Sequence, residues 1–238
     1  MPKETWTDVR DAIAEDLATG VLQPGARLPT EPELKERFGV GRHSVRRALA
    51  DLAREGRLSI EQGRGTFVLP MPTIEYAIGR RTRLRHNMAA QGIDVAGEPM
   101  GSERIAASEV AAQALGVKTG ADLVVTRRLT KADNLPVAFG ALYHDAARFP
   151  DFPDRRSVLG SVSEVYRSYG IDDYVRGNTE IHSRPAVAEE SALLRQHVDI
   201  PVMVVRAIDT LIDGTPIAFS EVIWSAARVK FTFTPEEQ

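Results

Sequence analysis

Arg42, His43, Arg46 and Arg47 are spaced so that one short helix would carry three guanidinium groups and an imidazole on one side. Arg64, between Gly63 and Gly65, adds a fourth guanidinium on a tight turn. Guanidinium groups grip guanine edges in pairs and hold phosphate oxygens. Further along, arginines recur in Arg80-Arg81-Thr82-Arg83-Leu84-Arg85, followed by His86 and Asn87, and again in Arg127-Arg128. The first run could line an anion pocket, form a solvated face or touch DNA phosphates. Ser161 and Glu164 have capping-box spacing, and the helix start they mark, with Ser163 beside it, could also receive an anion. Catalytic and metal chemistry finds less support. There are no cysteines, so no disulfide, thiolate site or Cys nucleophile exists. His86, His144, His182 and His197 lack metal-ligand spacing, and Asp145 beside His144 is adjacency only. No catalytic residue, metal or cofactor is expected.

The arginines near residue 45 need elements that hold them. Val9, Ile13 and Leu17 mark the buried face of a helix over Thr7 to Ala18, and Gly20 with Pro24-Gly25 ends it. A second helix starts after Thr30, with Thr30 and Glu33 as a capping box and Pro32 in the first turn. Gly39-Val40-Gly41 allows a tight turn into a third helix, Arg42 to Arg54. There Val45, Ala48, Leu49 and Leu52 share one side and the arginines the other. Leu58 to Val68 reads as two short strands around Gly63-Arg64-Gly65. From Lys35 to Arg64 eight basic residues face four acids, a local +4 in a 238-residue chain of net charge −3. Positive charge is therefore local, as a DNA reader requires.

The stretch LPTEPELKERFGVGRHSVRRALADLAREGRLSIEQGRGTFV resembles the winged helix-turn-helix of the GntR family over nearly all of residues 5 to 69. The resemblance implies operator contacts from Thr30, Arg42, His43, Ser44, Arg46 and Arg47 and from a wing at Gly63, Arg64, Gly65 and Thr66. Two positions depart from it. Many relatives carry a DNA-contacting Arg at the place of Pro32 and a Ser at the place of Gly41.

Residues 1–69 are thus read as one domain, 70–73 as a Pro-rich joint (Leu69-Pro70-Met71-Pro72-Thr73) and 74–238 as a second domain. The second domain repeats itself. A shift of 80 positions lays Arg104 on Arg184, Val124-Val125 on Val204-Val205, Asp133 to Phe139 on Asp213 to Phe219, and Ala146 to Arg148 on Ala226 to Arg228. Each copy reads strand, short helix, strand, turn, strand. The helices are expected near Ser108 to Leu115 and Ala188 to Gln196. The strands are Leu123 to Thr130, Val137 to Tyr143, Val202 to Leu211 and Ile217 to Trp224. The pattern predicts an α+β fold, with a pseudo-two-fold antiparallel sheet in the second domain. Of Arg127 and Arg128, strand alternation turns only one inward.

This second domain resembles the UTRA effector domain of the HutC subfamily, which has a chorismate-lyase-like fold. The residues that carry the likeness are Arg128-Leu-Thr-Lys-Ala-Asp133 with Pro136, and Asp213-Gly-Thr-Pro216 with Arg228 and Phe231. Three stretches look closest to phosphonate-utilisation (PhnF-like) regulators: Arg81 to Leu84 with Asn87-Met88, Arg148 to Pro150, and Ile181 to Pro185. The resemblance implies a small, anionic effector at Arg83, Asn87, Arg128, Thr130 and Ser163, with Tyr143 and Glu221 reading its neutral part. Relatives that bind sugar phosphates have a Ser where Arg83 stands and a second Arg where Thr130 stands. An anion site is therefore retained but rebuilt, compatible with phosphate, a phosphonate or a carboxylate. A regulator of sugar-phosphate or amino-acid catabolism is the alternative, and a chorismate-lyase-like enzyme a weaker one. The reading expects a homodimeric, ligand-responsive repressor on palindromic double-stranded operator DNA. The charged N-terminus and the lack of a long apolar run place it in the cytoplasm, away from membranes.

Overall fold

The structure is a computed structural model that describes residues 5–54, 57–69, 74–81, 84–196 and 198–233. The joint at 70–73, Arg83 and His197 lie outside the described residues. Contacts divide the chain into two compact units, one built on the N-terminal helices and hairpin, the other on residues from Ile74 onward apart from Arg195–Ile200. No helix among the described residues is long and apolar enough to cross a membrane.

The N-terminal unit contains α1 (Trp6–Ala18), α2 (Glu31–Phe38), α3 (Arg42–Arg54), β1 (Leu58–Glu61) and β2 (Gly65–Val68). The apolar residues that the 3.6-residue period singles out, Val9, Ile13 and Leu17 on α1 and Val45, Ala48, Leu49 and Leu52 on α3, are all buried in one core with Leu34 and Leu58. Burial of each large side chain contributes roughly 1.5–3 kcal/mol. The Thr30 N–H donates to Glu33 Oε2 at 2.6 Å and its hydroxyl to the same atom at 2.7 Å. This fixes the start of α2 and holds the Glu33 carboxyl below its usual range. The hairpin pairs Leu58 with Val68 through Glu61 with Gly65. A third edge joins it: Leu28 N–H donates to Thr66 O at 2.8 Å and Val68 N–H to Ala26 O at 2.9 Å.

The second unit is built on one six-stranded sheet. The strands are β4 (Val95–Ala106), β5 (Asp122–Ala132), β6 (Leu135–Asp145), β7 (Val175–Arg184), β8 (Val202–Thr210) and β9 (Pro216–Ser225). Every neighbouring pair is antiparallel. Outside it, β3 (Ile74–Ile78) and β10 (Val229–Phe233) pair in parallel, which the repeat did not reveal. The helices are α4 (Leu84–Ala89), α5 (Glu109–Leu115), α6 (Phe152–Leu159), α7 (Val162–Ser168) and α8 (Ala188–Leu194).

The sheet order is palindromic, β4-β5-β6 followed by β9-β8-β7, so a pseudo-two-fold axis runs between β6 and β9. The copies hold each other. Helix α5 of the first packs on β9 of the second, and α8 of the second on β6 of the first. Arg148 reaches the carbonyl of Pro216 at 3.5 Å, and its counterpart Arg228 reaches that of Pro136 at 2.5 Å. At the axis Gly140 is required, because a Cβ there would lie 2.7 Å from the Val222 Cα and closer still to the Glu221 carbonyl oxygen.

The gapless shift of 80 needs one correction. Val125 pairs with Tyr143, whereas Val205 pairs with Val222 and not with Ile223, the counterpart of Tyr143. The first hairpin turns on two residues, Asp133 at φ 47 and Asn134 at φ 66, as a type I′ turn demands. The second turn is longer, with Leu211 N–H bonded to Thr215 O. A one-residue slip reverses the faces of a strand. Arg128 therefore faces the cavity described below, while Ile208 packs with Phe219, Tyr143 and Leu123 on the opposite face.

Candidate DNA reader and effector cavity

On α3, Arg42, His43, Arg46 and Arg47 are exposed and Ser44 is half-buried. Arg42 makes no hydrogen bond or ion pair among the described residues. Arg46 Nε donates to both oxygens of Glu31 at 3.0 and 2.9 Å. The Arg47 guanidinium lies over the Trp6 ring, 4.1 Å from its centroid, which ties α3 to α1. Thr30 is exposed beside them, its hydroxyl committed to Glu33. At the hairpin tip Gly63 has φ +77 and Gly65 φ +123, conformations that favour glycine. A Cβ on Gly65 would also meet Arg27 Nε at 2.6 Å. Arg64 pairs with Glu61 at 2.5 Å and stays 76% exposed, and Thr66 lies in the strand behind it. The structure thus leaves Arg42, His43, Arg46 and Arg64 available to a polyanion. Gly41 gives α3 no side-chain cap, and its carbonyl accepts from Ser44 N–H at 3.0 Å instead.

One face of the six-stranded sheet forms the floor of a cavity of about 590 Å³. Thr126, Arg128 and Thr130 from β5, Gly140 and Leu142 from β6, and Ser220, Val222 and Trp224 from β9 line it. The opposite wall comes from Tyr76, from Leu84 and Arg85 of α4, from Arg156 of α6, and from Ser161, Val162, Ser163 and Arg167 at α7. Tyr174, Arg176 and Asp209 complete it.

Among the described residues, five arginines and one carboxylate line this space. Asp209 is taken by Arg176 at 2.9 Å. The other hydrogen bonds seen for Arg85, Arg128 and Arg156 go to carbonyls. Arg85 Nη2 reaches Gly160 O at 3.4 Å, Arg156 Nη1 donates to the same oxygen, and Arg128 Nη2 donates to Gly97 O. Gly97 makes room for that contact, since a Cβ there would lie 3.0 Å from Arg128 Nε. Burial, and then repulsion from Arg85, lowers the pKa of Arg128. Burial, and then Arg128 and Arg85, pulls that of Arg156 down to about 10. Half-buried Arg128 and Arg156, with the exposed Arg85 beside them, are a set of like charges short of counter-charge and favourable ground for an anion. Ser163 adds a hydroxyl, 3.0 Å from that of Tyr174. Tyr76 and Trp224, with ring centroids 5.1 Å apart, give one wall an aromatic surface.

Of the seven residues expected at an effector, Arg128, Thr130 and Ser163 meet in the cavity. Arg83 lies outside the described residues. Asn87 is instead a strut: its amide accepts from Ala77 N–H at 3.2 Å and donates to Ala77 O at 3.1 Å. Tyr143 and Glu221 are corrected by strand alternation. They fall on the opposite face, where Glu221 pairs with Arg206 at 2.6 Å and the Tyr143 ring packs tilted against Phe219. Arg127 is likewise outward, paired with Glu103, as alternation with Arg128 requires. Reasoning from sequence did not single out Arg85, Arg156, Arg176, Tyr174 or Trp224. Arg85 was visible within the basic run, where Arg81 pairs with Asp173 at 2.6 Å and the Arg80 carbonyl accepts from Arg176 N–H. Arg156 carried no signal apart from its neighbour Arg155, which is bound to Asp151.

His144 is no catalytic base. It is wholly buried, stacked on Phe152 at 3.8 Å with Nε2 3.0 Å from the Tyr166 hydroxyl, and burial pulls its pKa down to about 3. Asp145 caps a turn through Ala147 N–H.

Comparison with known proteins places both units. Residues 5–68 match the family described as bacterial regulatory proteins, gntR family, and residues 90–230 match the UTRA domain. An HTH-type transcriptional regulator of Rhizobium meliloti is 35% identical over 225 residues, 94% of this chain and 92% of that protein. The histidine utilization repressor of Klebsiella aerogenes is 29% identical over 205 residues, 86% and 84% of the two chains. Among solved structures, PhnF from Mycobacterium smegmatis is similar with a TM-score of 0.67 and 26% identity, covering 97% of this chain and 100% of that one.

Proposed function

Since this chain belongs to the gntR family of bacterial regulatory proteins and carries a UTRA domain, a transcriptional regulator by descent, we propose that it is a repressor that senses a small anionic metabolite. Arg85, Arg128 and Arg156 receive the negative group, helped by Ser163 and Thr130. The observation that carries this reading is the convergence of three guanidiniums whose hydrogen bonds go to carbonyl oxygens in a cavity of about 590 Å³. Phosphate, a phosphonate or a related phosphorylated compound suits that charge density. A second reading, a sugar phosphate, is favoured by the Tyr76–Trp224 wall, on which an apolar sugar face can rest.

Arg42 and Arg46 supply base and phosphate contacts in a major groove, with His43, Ser44 and Thr30 at its edge. Arg64 reaches from the hairpin, whose backbone at Gly63, Gly65 and Thr66 approaches closely. Arg47 positions the helix through Trp6. One short helix and one wing give modest affinity, so two copies on a palindromic operator supply the rest.

Thermal unfolding with inorganic phosphate, methylphosphonate, glucosamine 6-phosphate, citrate and histidine tests the sensor. A ligand selective for the folded state raises the midpoint. The reading expects a phosphorus-containing anion to do so in the wild type and not in Arg128→Ala. Stabilisation by histidine alone, or by no compound of the set, contradicts it.

A further inference from the structure

Glu31 opens α2, held in place by the Thr30–Glu33 cap and followed by Pro32, whose ring restricts the backbone. Its carboxylate takes two hydrogen bonds from Arg46 Nε on the next helix, at 3.0 and 2.9 Å. Arg46 nonetheless remains 69% exposed, and its Nη1 and Nη2 groups have no partner among the described residues. Holding the side chain at Nε leaves the terminal Nη1/Nη2 edge free. That edge can grip two acceptors at once, as on O6 and N7 of guanine. An exposed ion pair contributes little to stability, so the fold alone gives Glu31 slight reason to be there.

We propose that Glu31 is a specificity-determining residue of the DNA reader, which fixes Arg46 in its reading orientation and suppresses binding to unrelated sequence. The proposal rests on Arg46 being the base-contacting residue. Two physical effects act together. Arginine has a long, rotamer-rich side chain, and ordering it before encounter removes part of the entropic cost of binding. Binding to unrelated sequence comes almost wholly from neutralising phosphates. A carboxylate paired with Arg46 cancels one positive charge of that face and repels the same phosphates. Glu31 therefore taxes every duplex, and only the duplex that Arg46 can read repays it.

The test uses the full chain, a duplex that the wild type selects from a randomised library, and a scrambled duplex of the same composition. Glu31→Gln is expected to tighten binding to the scrambled duplex about fivefold, the effect of one recovered phosphate contact at moderate salt. Affinity for the selected duplex should change less than twofold, so the specificity ratio falls about fivefold. In an Arg46→Ala background, Glu31→Gln should leave the ratio unchanged. Glu31→Asp, which keeps the charge, should keep weak binding to the scrambled duplex. Each ratio compares two duplexes on one protein preparation, so partial loss of folded protein cancels. A Glu31→Gln ratio within twofold of wild type overturns the proposal, as does an equal fall in the Arg46→Ala background. Failure of the underlying reading looks different: either no sequence is enriched, or Arg46→Ala alone leaves the wild-type ratio intact.

Discussion

Acidifying this protein should destabilise its C-terminal unit through one residue, His144. The ring is wholly buried, stacked on Phe152 and bonded to Tyr166 at Nε2, and Nδ1 has no hydrogen-bond partner. Burial holds its pKa at about 3, against an ordinary 6.5. Between these values the unfolded chain binds a proton that the folded chain refuses, so stability rises with pH across that window. It is fully present above pH 6.5 and is lost progressively toward pH 3. At pH 5 the difference is about 1.5 pH units at about 1.36 kcal/mol each, or about 2 kcal/mol. Urea unfolding at pH 7.5 and pH 5, followed by Trp224 fluorescence in a Trp6→Phe background, measures it. His144→Phe keeps a stacked ring and cannot titrate. It leaves the Tyr166 hydroxyl unpaired, at a cost of about 1–3 kcal/mol that is the same at both pH values. Carboxylates that titrate in both proteins cancel in the comparison. The wild type should lose about 2 kcal/mol more than His144→Phe between the two pH values. Equal losses would refute the reasoning.

Gly140→Ala should cost about 1–3 kcal/mol by overpacking against fixed backbone, lowering the midpoint of the second unit by roughly 2–9 °C. Gly41→Ala, where nothing lies within 4 Å, should leave thermal stability nearly unchanged, and calorimetry distinguishes the two. Arg46→Ala should abolish sequence-specific DNA binding, and an operator affinity within about threefold of wild type at moderate salt would contradict its role. Arg156→Gln should weaken binding of the stabilising anion about tenfold or more by isothermal titration, the usual loss for a charged hydrogen bond. Glu221→Gln, on the other face of the sheet, should leave that affinity within twofold.

The parts of the fold legible in the sequence are those set by local periodicity. Val45, Ala48, Leu49 and Leu52 alternate with arginines at helical spacing, and the structure buries the first set and exposes the second. Asp133-Asn134 announced a tight hairpin and adopts one. The repeat announced a palindromic sheet. What escaped depended on register or on long-range approach. A one-residue shift of pairing in the second hairpin reverses the faces of β8 relative to β5, which a gapless alignment of the two copies cannot show. Tyr143 and Glu221 were assigned by chemistry, and alternation then placed them on the wrong face for the cavity. Arg85 and Arg156 reach one carbonyl from elements about 70 residues apart, a meeting that only the folded chain defines. The Glu31–Arg46 pair is similar, since its partners are 15 residues apart on separate helices.

The central claim is that an anion in the arginine-lined cavity alters DNA binding. Fluorescence anisotropy of the selected duplex, titrated with protein with and without the stabilising anion, addresses it directly. The account expects that anion to shift the apparent affinity of the wild type by about tenfold, within the usual range of allosteric coupling, and to leave Arg156→Gln unmoved at the same concentration. An unchanged affinity in the wild type, or an equal shift in the variant, would contradict it.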